Sequence, residues 1–143
     1  MAGERDLVTG VIQLANLLTR RLVPVFEKAK VTPQQWAVLS ALSDETAPVT
    51  LVALARRLAV TKQNMTGMIA RLEQLGFAER QGDPNDLRSS RVSLTRRGRT
   101  LVDKVRPSYD QWVHEIGGGE VSERDLQTTM RTVERLIAQL EQQ

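Results

Sequence analysis

The sequence predicts a mostly α-helical fold with one small β-hairpin, and three observations carry that expectation. Apolar residues recur at helical spacing in six separate segments of the 143-residue chain, each bounded by a capping residue, a proline or a glycine. Aromatic residues make up only 3% of the chain while Leu, Val, Ala and Arg are plentiful, which favours an aliphatic helical core over a β-sandwich. Only residues 77–94 depart from the helical pattern, as two short runs around a long polar loop. The length suits one domain, 1–143, with a core of its own.

The elements follow in order. From Leu7 to about Glu27, Leu7, Val11, Leu14, Leu18, Leu22 and Val25 trace one face of a long helix, broadened by Val8 and Leu17. Pro24 should kink or end it. Thr32-Pro33-Gln34-Gln35 is a helix start with a threonine cap, proline in the first turn and a glutamine placed for a capping box. That helix turns Trp36, Leu39 and Leu42 inward and ends near Asp44-Glu45. Trp36 is a candidate to line a small-molecule pocket, the simpler reading being a tryptophan in the core. Val49 is placed to form a minimal strand against the hairpin.

Thr50 caps a short helix with apolar Leu51, Leu54, Ala55 and Leu58. A turn at Ala59-Val60 leads to a second cap, Thr61, and a helix to about Leu75 with Met65, Met68, Ile69, Leu72 and Leu75 on its buried face. Gly76 closes it. The opposite face carries Lys62, Gln63, Asn64, Thr66, Gly67, Ala70 and Arg71, the small, amide, hydroxyl and cationic groups that reach base edges and phosphates. Strands at Phe77–Gln81 and Arg91–Leu94 flank a polar loop, Gly82 to Ser90, too long and polar to be buried. Arg88 at its tip reads by itself as a solvated loop cation, but within the full wing pattern it suits the narrow, negative minor groove of A·T-rich DNA. Asp86, two residues away, is placed to hydrogen-bond and aim its guanidinium, and Arg91 is a phosphate candidate.

Charge points the same way. Residues 56–99 hold 10 Lys/Arg against 4 Asp/Glu, a net of +6, while the rest of the chain is net −3, so the excess positive charge lies on the segment shaped for a duplex. Beyond it, Thr95 caps a helix with Leu101, Val105, Tyr109, Trp112 and Ile116 on one face, which Pro107 should interrupt and bend. Gly117-Gly118-Gly119 breaks the chain, and Ser122 caps a last helix with Leu126, Met130, Val133, Ile137 and Leu140 in a short near-heptad seam. The first, fifth and sixth helices carry more apolar surface than a DNA-binding core of this size can cover, which argues for a two-fold homodimer.

A helix-turn-helix followed by Gly76-Phe77-Ala78-Glu79-Arg80, Asp83-Pro84-Asn85-Asp86-Leu87-Arg88 and Arg91-Val92-Ser93-Leu94-Thr95-Arg96-Arg97-Gly98 resembles the MarR family of bacterial transcriptional regulators. Its most specific part is the D-x-R of the wing followed by V-x-L-T-x-x-G, and the likeness covers nearly the whole chain. The resemblance implies a winged helix-turn-helix part at 31–99 and a helical dimerisation part from 1–30 and 100–143. It implies a ligand-responsive repressor, released from a pseudo-palindromic double-stranded operator by a small aromatic or phenolic effector. The chain departs from the family at Gly67, where members often carry Arg or another polar residue. The residues expected to meet DNA are Thr61, Lys62, Gln63, Asn64, Thr66, Arg71, Arg88 and Arg91. Gln63 and Asn64 are the base readers, since one amide donates to and accepts from adenine at once, and Lys62 and Arg71 the phosphate anchors.

Other classes find less support. No Ser/His/Asp set, carboxylate pair or phosphate loop suggests catalysis. The absence of cysteine excludes disulfides, thiolate metal sites and a thiol switch, and His114 alone does not make a zinc site, so neither cofactor nor metal is expected. No apolar run approaches ~20 residues, and Met1 to Asp6 is not a signal peptide, so a soluble cytoplasmic protein is expected. The alternative is a winged-helix protein-interaction module without specific DNA binding.

Overall fold

The computed structural model describes residues 2–83, 85–86 and 88–142; Pro84 and Leu87 of the wing motif lie outside the described residues. Among the described residues six α-helices and three short strands follow in the order α1 (Ala2–Phe26), α2 (Pro33–Ser43), β1 (Val49–Thr50), α3 (Leu51–Arg57), α4 (Lys62–Gln74), β2 (Ala78–Gln81), β3 (Arg91–Leu94), α5 (Arg96–Glu115) and α6 (Glu123–Glu141). By packing the chain forms two units, Met1–Tyr109 and Asp110–Gln143.

Local chemistry explains where the helices start. The Thr32 hydroxyl accepts from Gln35 N and the Gln35 side chain accepts from Thr32 N, completing the capping box. Thr50, Thr61, Thr95 and Ser122 accept from Ala53 N, Asn64 N, Gly98 N and Asp125 N in the same way. α1 begins at Ala2, before its apolar stripe, because the exposed polar residues ahead of Leu7 extend the helix and Glu4 complements its N-terminal dipole. It runs two residues past Pro24, then tightens into a 3₁₀ turn, Glu27–Ala29, which Lys30 closes in the left-handed region. Pro107 does not interrupt α5. It is exposed, as is Asp103 one turn earlier, so water can satisfy the carbonyl that the proline leaves unbonded.

The core of the first unit draws on α1 to α5 and the sheet. Phe26, Val38, Leu39, Leu51, Leu54, Met65, Ile69, Leu72, Val92 and Val102 are all fully buried. In α4 the expected face holds, with Met65, Ile69 and Leu72 at no exposure and Met68 and Leu75 half-buried at its margin. Gly76 closes that helix at φ +81°. The sheet has the order β1-β3-β2, all antiparallel, with Val49 opposite Val92 and Ala78 opposite Leu94. Val92, Leu94 and Ala78 face inward while Arg91 and Glu79 face solvent, the alternation that sends one strand face to the core.

Thr95 and Gly98 join the sheet to the helices on either side. The Thr95 hydroxyl donates to Gly76 O (2.6 Å) while capping α5, and its amide donates to Phe77 O (3.1 Å). Gly98 lies directly against that Phe77 carbonyl, leaving no room for a side chain. The T-x-x-G of the motif therefore welds the end of α4 and the start of β2 to α5.

The second unit contains the rest of α5, the glycine turn and α6. No residue of α6 is buried: Leu126, Met130, Leu136, Ile137 and Leu140 are all exposed. On α1, in the first unit, Leu7, Val8, Val11, Ile12, Leu14 and Leu17 are exposed as well.

Candidate nucleic-acid interface

α3 and α4 form the helix-turn-helix. The turn between them needs Ala59 in the left-handed region (φ 54°), and Val60 N returns to Ala55 O at 3.0 Å. Burial of Met65, Ile69 and Leu72 leaves Lys62, Gln63, Asn64 and Arg71 exposed on the far side of α4. Thr61 is exposed too, its hydroxyl oxygen engaged as the cap. Thr66 is half-buried and its hydroxyl donates to Lys62 O (2.9 Å), so its methyl is the better contact group. Arg71 donates to Gln74 Oε1 at 3.3 Å, which extends the guanidinium along the helix surface.

Gln63, Asn64, Gly67 and Arg71 share one cleft with Thr32, Gln34 and Gln35 from the start of α2. The contribution of Gln34 has no signal in the sequence, where it reads only as a second-position residue beside a capping box. Its place at the cleft depends on how α2 packs against α4.

The wing is organised by its own main chain. Asp86 O accepts from Ser89 N (3.2 Å) and Ser90 N (2.9 Å), and Asp83 Oδ1 accepts from Asn85 N (2.9 Å). Asp86 supports Arg88, but by a different contact from the one expected. Its carboxylate accepts from the Arg88 amide at 3.0 Å and forms no ion pair with the guanidinium, because an acceptor two residues back in a turn meets the main chain first. Arg88 and Arg91 are exposed. The end of the loop corrects a second expectation: Ser90 is fully buried, its hydroxyl donating to Asp83 O. That bond fastens the base of the wing beneath an exposed tip.

Not every cation of the basic segment is available to a duplex. Arg57 pairs with Asp44 (3.2 Å) and Glu45 (3.0 Å), joining α3 to the end of α2. Arg97 stacks over Phe77 at 5.3 Å, and Arg80 is half-buried. Lys62, Arg71, Arg88 and Arg91 are exposed and free of ion pairs among the described residues.

Trp36 is 3% exposed, so it belongs to the core, where aromatic and cationic side chains surround it. Its ring packs against Phe26 (5.4 Å) and Tyr109 (5.3 Å), and the Arg106 guanidinium lies 5.7 Å from it while donating to Ser43 Oγ at 2.7 Å. The buried indole Nε1 has no hydrogen-bond partner among the described residues. Tyr109 and Arg106 lie some 70 residues from Trp36 in sequence, beyond the reach of any local pattern. Among the described residues no cluster of three or more His, Cys, Asp or Glu could hold a metal, and no helix is long and apolar enough to cross a membrane.

A helix-turn-helix with amides and cations turned outward, followed by a hairpin with an exposed arginine at its tip, defines a winged helix-turn-helix protein. Residues 29–89 match the model of the MarR family. The chain is 35% identical over 117 residues to the transcriptional activatory protein BadR of Rhodopseudomonas palustris, an alignment covering 77% of this chain and 67% of that protein. It is 27% identical over 133 residues to the homoprotocatechuate degradative operon repressor of Escherichia coli, covering 93% and 88%. The fold matches that of NadR in complex with 4-hydroxyphenylacetate at a TM-score of 0.74 and 21% identity, covering 95% and 97%. The chain belongs to the MarR family and is a DNA-binding transcriptional regulator.

Proposed function

We propose that this regulator is a homodimeric repressor that sits on a two-fold operator and is released by a small aromatic or phenolic acid. The observation that carries the DNA half is the division of α4 into a buried apolar face and an exposed face of Lys62, Gln63, Asn64 and Arg71. In this reading residues 31–99 engage the duplex, and 1–30 with 100–143 supply dimerisation. One α4 per subunit enters successive major grooves with half-sites about 10 base pairs apart, and Arg88 enters the minor groove. Thr61, Lys62, Arg71 and Arg91 hold phosphates, Gln63 and Asn64 read adenines, and the Thr66 methyl completes the contact. The uncovered apolar residues of α1 and of α6 support the dimer. A repressor of chromosomal operators works where the chromosome is, in the cytoplasm.

The effector half rests on Trp36. An aromatic acid lodging there would meet an unpaired indole N–H, the Arg106 cation and two aromatic rings, which between them satisfy a carboxylate and a ring. NadR, with 4-hydroxyphenylacetate bound, is a neighbour in fold that takes a ligand of this class.

Fluorescence anisotropy on duplex DNA from the gene's own upstream region, against a scrambled duplex at physiological salt, tests the reading. The operator should bind ~10³-fold or more tightly than the scrambled duplex. Arg88→Ala should cost ~1–3 kcal/mol of that affinity, and unchanged binding would remove the wing from the interface. Equal and steeply salt-dependent binding to both duplexes would reduce the interaction to phosphate electrostatics. No binding to either would favour an interaction module. Readers and anchors separate in a selection experiment: Gln63→Ala should relax base preference, whereas Lys62→Ala should weaken all sequences alike. Two variants of equal specificity would contradict the assignment.

A further inference from the structure

Gly67 lies in the interior of α4, where glycine is less favourable than any residue but proline, and nothing within the chain requires it. Its φ is not positive, and a Cβ built on it would meet nothing within 4 Å. Gly98, by contrast, is explained internally by the Phe77 carbonyl that presses on it. The other interior helical glycine with open space is Gly10, on α1, whose apolar residues are likewise uncovered. A glycine that weakens its helix without relieving any internal contact leaves its backbone open to a group from outside the chain.

The position of Gly67 says what comes close. It lies one turn from both Gln63 and Arg71, on the exposed face of α4. With Gln34, Asn64 and Met68 these residues line a cleft of about 390 Å³, whose wall carries no side chain at Gly67. Gly67 and the half-buried Met68 offer their part of the wall no hydrogen-bonding side chain, so that part suits an apolar group. On the major-groove edges of the bases the one apolar group is the C5-methyl of thymine. The amides of Gln63 and Asn64 beside it suit adenines, which would place the thymine in an A·T-rich half-site.

We propose that Gly67 is a specificity-determining residue, its missing side chain forming the slot that receives one thymine methyl per operator half-site. This rests on the reading of α4 as the recognition helix. Alanine at 67 moves a methyl from the DNA to the protein. The slot is then filled, and the variant prefers the base that lacks the methyl.

The test takes the full chain and its Gly67→Ala and Lys62→Ala variants through enrichment from a random duplex library. Each thymine of the enriched site is then replaced in turn by deoxyuridine, which removes only the methyl. In the wild type, deoxyuridine at one position of a single half-site should weaken binding about four-fold, the worth of one buried methyl group. Gly67→Ala should bind the thymine duplex about ten-fold or more weakly than the wild type and recover on the deoxyuridine duplex. Its melting temperature should rise by a few degrees, since alanine favours the helix. Gly67→Ala binding within about two-fold of the wild type, with the same response to deoxyuridine, overturns the proposal. So does a wild type indifferent to every thymine methyl. If the wild type enriches no site, or Lys62→Ala binds the site as tightly as the wild type, the reading of α4 itself fails, and the slot with it.

Discussion

Gly98→Ala is expected to destabilise the protein by about 2–4 kcal/mol. A Cβ at this position would run into the Phe77 carbonyl oxygen, with the Phe77 carbonyl carbon 2.9 Å away and Leu94 Cδ2 at 3.2 Å. A methyl-bearing leucine end can rotate aside, but a backbone carbonyl cannot. This one is held from both directions, its oxygen accepting from Thr95 N at 3.1 Å and the Phe77 amide donating to Leu72 O at 2.9 Å. Relief therefore requires moving α5 off the sheet or the end of α4 off the core, and either exposes buried apolar surface. Urea unfolding followed by circular dichroism measures the loss. Wild-type stability in Gly98→Ala would mean that α5 and the segment after α4 do not meet as described. The same substitution at Gly67 should have the opposite sign, because there the added methyl meets open space and only the helix preference for alanine acts.

Ending the chain after Gly117 should abolish dimerisation and lower operator affinity by about 10²-fold or more, through the lost linkage of two half-site contacts. α6 contributes no residue to the buried core, so by internal packing alone its removal would be nearly neutral. Its apolar residues are what make the expected effect large. Leu126, Met130 and Ile137 are each about half exposed, and a helix with such a stripe in water is stable only when something covers it. Sedimentation of the truncated and full chains at matched concentration distinguishes the cases. A truncated protein that is monomeric, or that fails to stay folded, agrees with α6 as an interface. A stable truncated dimer would exclude that role.

Much of the architecture was legible because it is written in short-range chemistry. Thr32, Thr50, Thr61, Thr95 and Ser122 each cap the helix they were expected to cap, since a hydroxyl and the amide three residues on are close in any helix start. The faces of α4 followed from the spacing of Met65, Ile69 and Leu72, which puts Lys62, Gln63, Asn64 and Arg71 on the other side whatever the rest of the fold does. The hairpin, its register partner at Val49 and the closing Gly76 belong to the same group. Where local rules competed, expectation slipped: Asp86 was expected on the Arg88 guanidinium and holds the Arg88 amide, and Pro107 was expected to interrupt a helix that continues through it.

What the sequence by itself determined is therefore the set of elements, their caps, and which residues each turns outward, all governed by interactions within about four positions. The tertiary structure alone decided which of those residues meet. It buried Ser90 under the wing, tied Arg57 to Asp44 and Glu45, and brought Gln34 to the cleft beside Gly67. It set Tyr109 and Arg106 around Trp36, and pressed the Phe77 carbonyl onto Gly98. The physical reason is common to all of these. Periodicity and capping are properties of a single helix or strand, whereas a contact between distant positions depends on how whole faces pack, and no spacing in the sequence encodes that distance.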